Sequence, residues 1–79
     1  MNITKHAFER MHERGFTVEM LGRFLRQKQL RRDASSEEGV SKITAEVDGR
    51  YWTLIVTDDL KTLISVRRAH EDEVQNAEG

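Results

Sequence analysis

Asp48-Gly49 separates two runs of alternating apolar and polar residues, and no other feature of the chain restricts its fold as much. Before it, Ile43, Ala45 and Val47 alternate with Lys42, Thr44 and Glu46, the pattern of a half-buried strand. After it, "RYWTLIVT" places Trp52, Leu54 and Val56 on one face. Asp-Gly is a preferred two-residue hairpin turn because both positions tolerate positive φ. Such a turn opposes Val47 to Arg50, Ala45 to Trp52 and Ile43 to Leu54, so the apolar faces coincide. A turn at Asp58–Lys61 then returns the chain as another strand, "TLISVRR". A four-residue turn there puts Ser65 on the Trp52 face and a five-residue turn puts it on the other. Both remain open.

The N-terminal third has a different period. Thr4 is placed to cap a helix running to about Arg14, and Gly15 supplies the left-handed residue that commonly ends one. Thr17 caps a second helix, Phe16 can fold back on Leu21, and Glu19 sits where the helix dipole favours an acid. Met20, Leu21, Phe24 and Leu25 mark its buried face, and it is expected to fade near Lys28. A short edge strand around Leu30 and a flexible loop at 35–39 follow. The expected architecture is α+β, an N-terminal helical hairpin packed on a three- to four-stranded antiparallel meander. Residues 1–70 form this single domain, and "EDEVQNAEG" at 71–79 reads as a disordered acidic tail.

Seventy-nine residues make one domain, and a chain this small buries only about 60% of its unfolded surface. It has no cysteine, which fits a reducing compartment. No apolar run approaches the ~18 residues of a membrane helix, and the start lacks a signal-peptide core. A cytoplasmic protein without a membrane partner is expected. The net charge of −1 conceals an asymmetry. Residues 1–34 carry eight Lys or Arg against four acids, and residues 35–79 carry five against ten. The basic half suits phosphate; the acidic half argues against a generic nucleic-acid coat.

Within the first helix, "KHAFERMHERGF" spaces His6, Arg10 and Arg14 four apart. At 100° per residue, Arg10 and Arg14 follow His6 at about 40° and about 80°, and Ala7 and Met11 continue at about 100° and about 140°. The basic stripe therefore borders the buried stripe. Glu9 and Glu13, on its other side, can pair with Lys5 and Arg10. An imidazole there can act as general acid or base, and two guanidiniums can hold a phosphate. The plainer reading is that both arginines cover the sheet edge with their stems and pair with acids.

"HAFERMHERGFT" resembles the signature HA-x-x-RM-x-x-RG-[IF]-[ST] of a small bacterial and phage domain family of unknown function. That family is placed beside the RelE- and BrnT-like toxins in the barnase–EndoU–colicin–RelE group of ribonucleases. His6, Ala7, Arg10, Met11, Arg14, Gly15, Phe16 and Thr17 fill every signature position. The likeness continues in "LISVRR", where Ser65 replaces a threonine and Arg67 stands where the family often has an aromatic. It covers about residues 3–68. It implies a RelE-like fold and a metal-independent endoribonuclease acting on mRNA or tRNA by 2′-hydroxyl attack, without cofactor. His6 would then be the acid or base, Arg10 and Arg14 the phosphate clamp, and Ser65 a hydrogen-bond donor to phosphate. Arg67 would add charge, Tyr51 or Trp52 would stack a base, and Arg31 and Arg32 would extend the RNA surface.

Each of these has a plainer counterpart. Trp52 shares the apolar face and reads as core more readily than as a base platform. Arg31-Arg32 also suits an exposed strand edge that charge protects from pairing. Asp58-Asp59 lies in a turn, where acids make local hydrogen bonds. His6, His12 and His70 are too scattered for a zinc site, and no metal is expected. The rival to a toxin-type ribonuclease is a non-catalytic phage or bacterial accessory protein that binds a host protein or nucleic acid through the same scaffold. A cognate antitoxin and a homodimer through the edge strand are further expected partners.

Overall fold

The computed structural model describes residues 1–27 and 30–78. The elements run β1 (Asn2–Ile3), α1 (Lys5–Arg14), α2 (Val18–Leu25), β2 (Arg31–Ala34), β3 (Val40–Val47), β4 (Arg50–Thr57), β5 (Thr62–Arg68) and α3 (Glu71–Glu78). The fold class is α+β. One sheet contains all five strands in the order β1-β5-β4-β3-β2, antiparallel except where β1 runs parallel to β5.

Local chemistry sets the helix boundaries. Thr4 Oγ1 accepts the Ala7 N–H at the start of α1, and Gly15 ends it in the left-handed region at φ 69°. Thr17 caps α2 by accepting the Met20 N–H, while its own N–H reaches back to Met20 Sδ. Lys28, where α2 was expected to fade, lies outside the described residues; α2 itself ends at Leu25. Asp48 and Gly49 take φ values of 55° and 81°, as the tight hairpin requires. Val47, Ala45 and Ile43 oppose Arg50, Trp52 and Leu54, the register read from the sequence.

Ala7 and Met11 from α1, Phe16 from the connection, and Leu21 and Phe24 from α2 form one core with the apolar strand residues. The Phe16 ring centroid stands 5.0 Å from that of Trp52 and 6.4 Å from that of Phe24. Phe24, Leu54, Val56, Leu63 and Val66 are completely buried. Each such side chain contributes roughly 1.5–3 kcal/mol by leaving water.

Two expectations are corrected, and the register of β5, left open by the sequence, is decided. The sheet is mixed: the chain ahead of Thr4 joins it through Asn2 N–H to Lys61 O and Thr4 N–H to Leu63 O. A two-residue strand is too short to show a period. The acidic segment 71–78 is helical, not a loose tail, because Glu73 ties it to the sheet. Finally, β5 contains a bulge: Val56 opposes Leu63, yet Ile55 opposes Ser65, leaving Ile64 as the extra residue. The turn is four residues long, but the bulge adds the fifth, so Ser65 and Arg67 lie on the face away from Trp52.

Candidate functional site

The face away from Trp52 is mostly polar by the same alternation that makes the other face apolar, with Val40 and Ile55 as its apolar members. Lys42 and Thr44 on β3, Tyr51 and Thr53 on β4, and Ser65 and Arg67 on β5 all project there. Thr44 and Thr53 are cross-strand partners with hydroxyls 2.9 Å apart, and both are essentially inaccessible to water. α3 lies over this face.

Glu73 is the only buried charged side chain among the described residues, at 3% exposure. Arg67 donates to it with both terminal nitrogens, at 2.7 and 2.8 Å. Lys42 Nζ lies 3.1 Å from its second oxygen. Thr53 Oγ1 donates at 3.1 Å and the His70 backbone N–H at 2.8 Å. The Arg67 guanidinium, then the His70 N–H, Lys42 and Thr53, hold the Glu73 carboxyl far below the usual carboxylate range against the opposing effect of burial. Reciprocally, Glu73 raises Arg67. Two cations face one carboxylate, so the cluster is net positive.

Four of the residues singled out in the sequence meet here. Ser65, Arg67 and Tyr51 share the polar face, and Arg31, opposite Thr44 on β2, extends it while pairing with Asp33 at 3.2 Å. Partial desolvation, then Glu78 and Glu46, push the Tyr51 phenol up. Arg32 is elsewhere: it opposes Ile43 on the apolar side and donates to Asp58 O and to Ser41 Oγ. His6, Arg10 and Arg14 line α1, across the sheet from Arg67. His6 and Arg14 are exposed, and Arg10 is paired with Glu13. Trp52 is core, with the Arg68 guanidinium 5.5 Å above its ring and its indole N–H unpartnered.

Lys42, Thr53, His70 and Glu73 were not singled out from sequence. The alternation in β3 and β4 does signal the first two. Glu73 has a weaker signal, three residues after His70, where a first-turn glutamate can reach back to the backbone N–H at the start of a helix. Among the described residues no group of three His, Asp or Glu could hold a metal ion. No helix there is long and apolar enough to cross a membrane. No family model, curated protein or solved structure matches the chain.

Proposed function

We propose that this protein is a RelE-like module that acts on RNA, with the polar sheet face as the surface that meets the RNA backbone. The observation carrying this reading is the grouping of Arg67, Lys42 and Arg31 with the Ser65, Thr44 and Thr53 hydroxyls and the Tyr51 ring on one face. Cations bind phosphate oxygens, and a half-exposed tyrosine offers a stacking plane. The Ser65 hydroxyl can donate to phosphate at once, and those of Thr44 and Thr53 only where α3 is lifted from the face. The resemblance of residues 6–17 to the toxin-related signature points to the same partner. In the cytoplasm, mRNA or tRNA is the natural target, and a cognate antitoxin would be its regulator.

The second reading concerns chemistry, and the exposed stripe on α1 favours it. In that reading the protein is a metal-independent endoribonuclease. The 2′-hydroxyl gives up its proton as it attacks the adjacent phosphodiester, and the P–O5′ bond breaks to leave a 2′,3′-cyclic phosphate. The 5′-oxygen leaves protonated, with His6 as the acid or the base and water as the other. Arg10 and Arg14 balance the charge on the pentacoordinate phosphate. Because Ser65 and Arg67 project across the sheet, they hold a neighbouring stretch of RNA and not the scissile group. The deciding experiment incubates purified protein with total bacterial RNA in EDTA, wild type beside His6→Ala, with folding checked by circular dichroism. Discrete products from the wild type alone establish the ribonuclease. Products from neither, with RNA retained on both, establish a non-catalytic binding protein. Neither products nor retained RNA removes the RNA reading.

A further inference from the structure

Glu73 sits in its cluster as a ligand sits in a site. Its two oxygens receive five donors: both terminal nitrogens of Arg67, Lys42 Nζ, the Thr53 hydroxyl and the His70 N–H. Bidentate arginine, a point-charge lysine, a hydroxyl and a backbone N–H are also the donor types that recognise a phosphate group. We infer that Lys42, Thr53, Arg67 and the His70 N–H form a phosphate-binding cradle, and that Glu73 on α3 is its built-in competitor, which must swing out before an RNA phosphate enters.

Four observations favour a removable occupant over a permanent fastening. α3 brings little apolar surface to the sheet: Val74 and Ala77 are its only aliphatic side chains, and both remain partly exposed. The strand side chains that touch Glu73 beneath it are threonine, lysine and arginine, which water can satisfy once the helix leaves. By contrast, lifting α1 or α2 would expose Trp52, Leu54 and Val56. Charge is the third: with Glu73 gone the cradle carries two uncompensated cations, matching a phosphate dianion or two adjacent diesters. α3 is also joined to β5 through Ala69-His70 alone, so it can detach without disturbing the strands. A fastening that had only to hold a helix would be at least as stable with apolar residues at these positions.

The inference rests on the RNA reading for its physiological ligand but not for its test, which uses inorganic phosphate. Calorimetric titration at matched ionic strength compares wild type, Glu73→Ala and the Glu73→Ala/Arg67→Met double variant. Glu73→Ala should bind phosphate at least about tenfold more tightly than wild type (1.4 kcal/mol), and the double variant should lose the gain. No gain in a folded Glu73→Ala protein overturns the inference. Should Glu73→Ala not fold, amide hydrogen exchange across α3 is measured on the wild type in chloride and in phosphate far above cellular levels, at matched ionic strength. Faster exchange in phosphate supports displacement, and equal exchange refutes it. A labelled single-stranded oligoribonucleotide is titrated alongside. A gain for phosphate without one for RNA keeps the cradle and removes the RNA reading. RNA binding with no phosphate gain does the reverse.

Discussion

On one face of the sheet Trp52, Leu54 and Val56 lie beneath α1 and α2; one residue along, on the other face, Thr53 and its neighbours Lys42 and Arg67 lie beneath α3. The strands serve both faces with one alternation, yet the two coverings are held by different forces. The first is apolar, extends over thirteen buried apolar residues among those described and does not depend on charge. The second converges on a single carboxylate, and its strength depends on geometry and ionisation. The apolar side therefore sets whether the chain folds, while the polar side sets where α3 spends its time.

Substitutions that damage one face and spare the other break this comparison most directly. Phe24→Ala empties a completely buried site and should cost about 3–5 kcal/mol, read as a fall in the urea midpoint of the whole protein. A loss confined to α3 would contradict the assignment. Arg67→Met leaves Glu73 buried with Lys42 as its remaining cation. About 3 kcal/mol should go, and the Arg67→Met/Glu73→Leu pair should recover most of it. If the pair were as unstable as the single variant, the cluster would be contributing more than mutual neutralisation.

Acid gives the smallest and most selective effect. Glu73 has its folded-state pKa depressed, so its contribution is complete above the unfolded value near about 4.3 and declines as pH falls below it. The decline is at most about 1.4 kcal/mol per pH unit. Wild type should therefore begin to lose its advantage over Glu73→Gln below about pH 5 and keep losing it as the pH falls to about 3 and beyond. Urea midpoints of both proteins, taken down to the lowest pH at which both still fold, measure this. A constant difference would show that the ionised form is not what the cradle holds. Asp59 is also depressed, chiefly by the Thr57 hydroxyl and then the Lys61 N–H, but it titrates equally in both proteins and cancels.

Where the chain's short-range chemistry decides structure, it could be read directly. Asp48-Gly49 carries the hairpin register in its own backbone preferences, and Thr4, Gly15 and Thr17 mark the helix boundaries with groups that act within four residues. The basic stripe was legible for the same reason, because its spacing is a property of one helix. Ile64 was not: nothing in "TLISVRR" marks a bulge, which arises from how β5 meets β4, and that one residue decides where Ser65 and Arg67 point. α3 was hidden because "EDEVQNAEG" carries too little apolar periodicity to announce a helix. The cradle and its occupant gather residues 42, 53, 67, 70 and 73 from three strands and a helix start, and only the assembled sheet brings them together.

The Ala69-His70 link has one further consequence. A carboxylate tethered by two residues meets its cradle at an effective concentration of about millimolar or higher, with no dependence on how much protein is present. A lone phosphate at ordinary cellular levels competes poorly against such an intramolecular rival. A polyanion that touches Arg31 or Tyr51 as well as the cradle adds contacts that the tether cannot match. The short link thus acts as a threshold, passing extended strands and turning away free phosphate and mononucleotides.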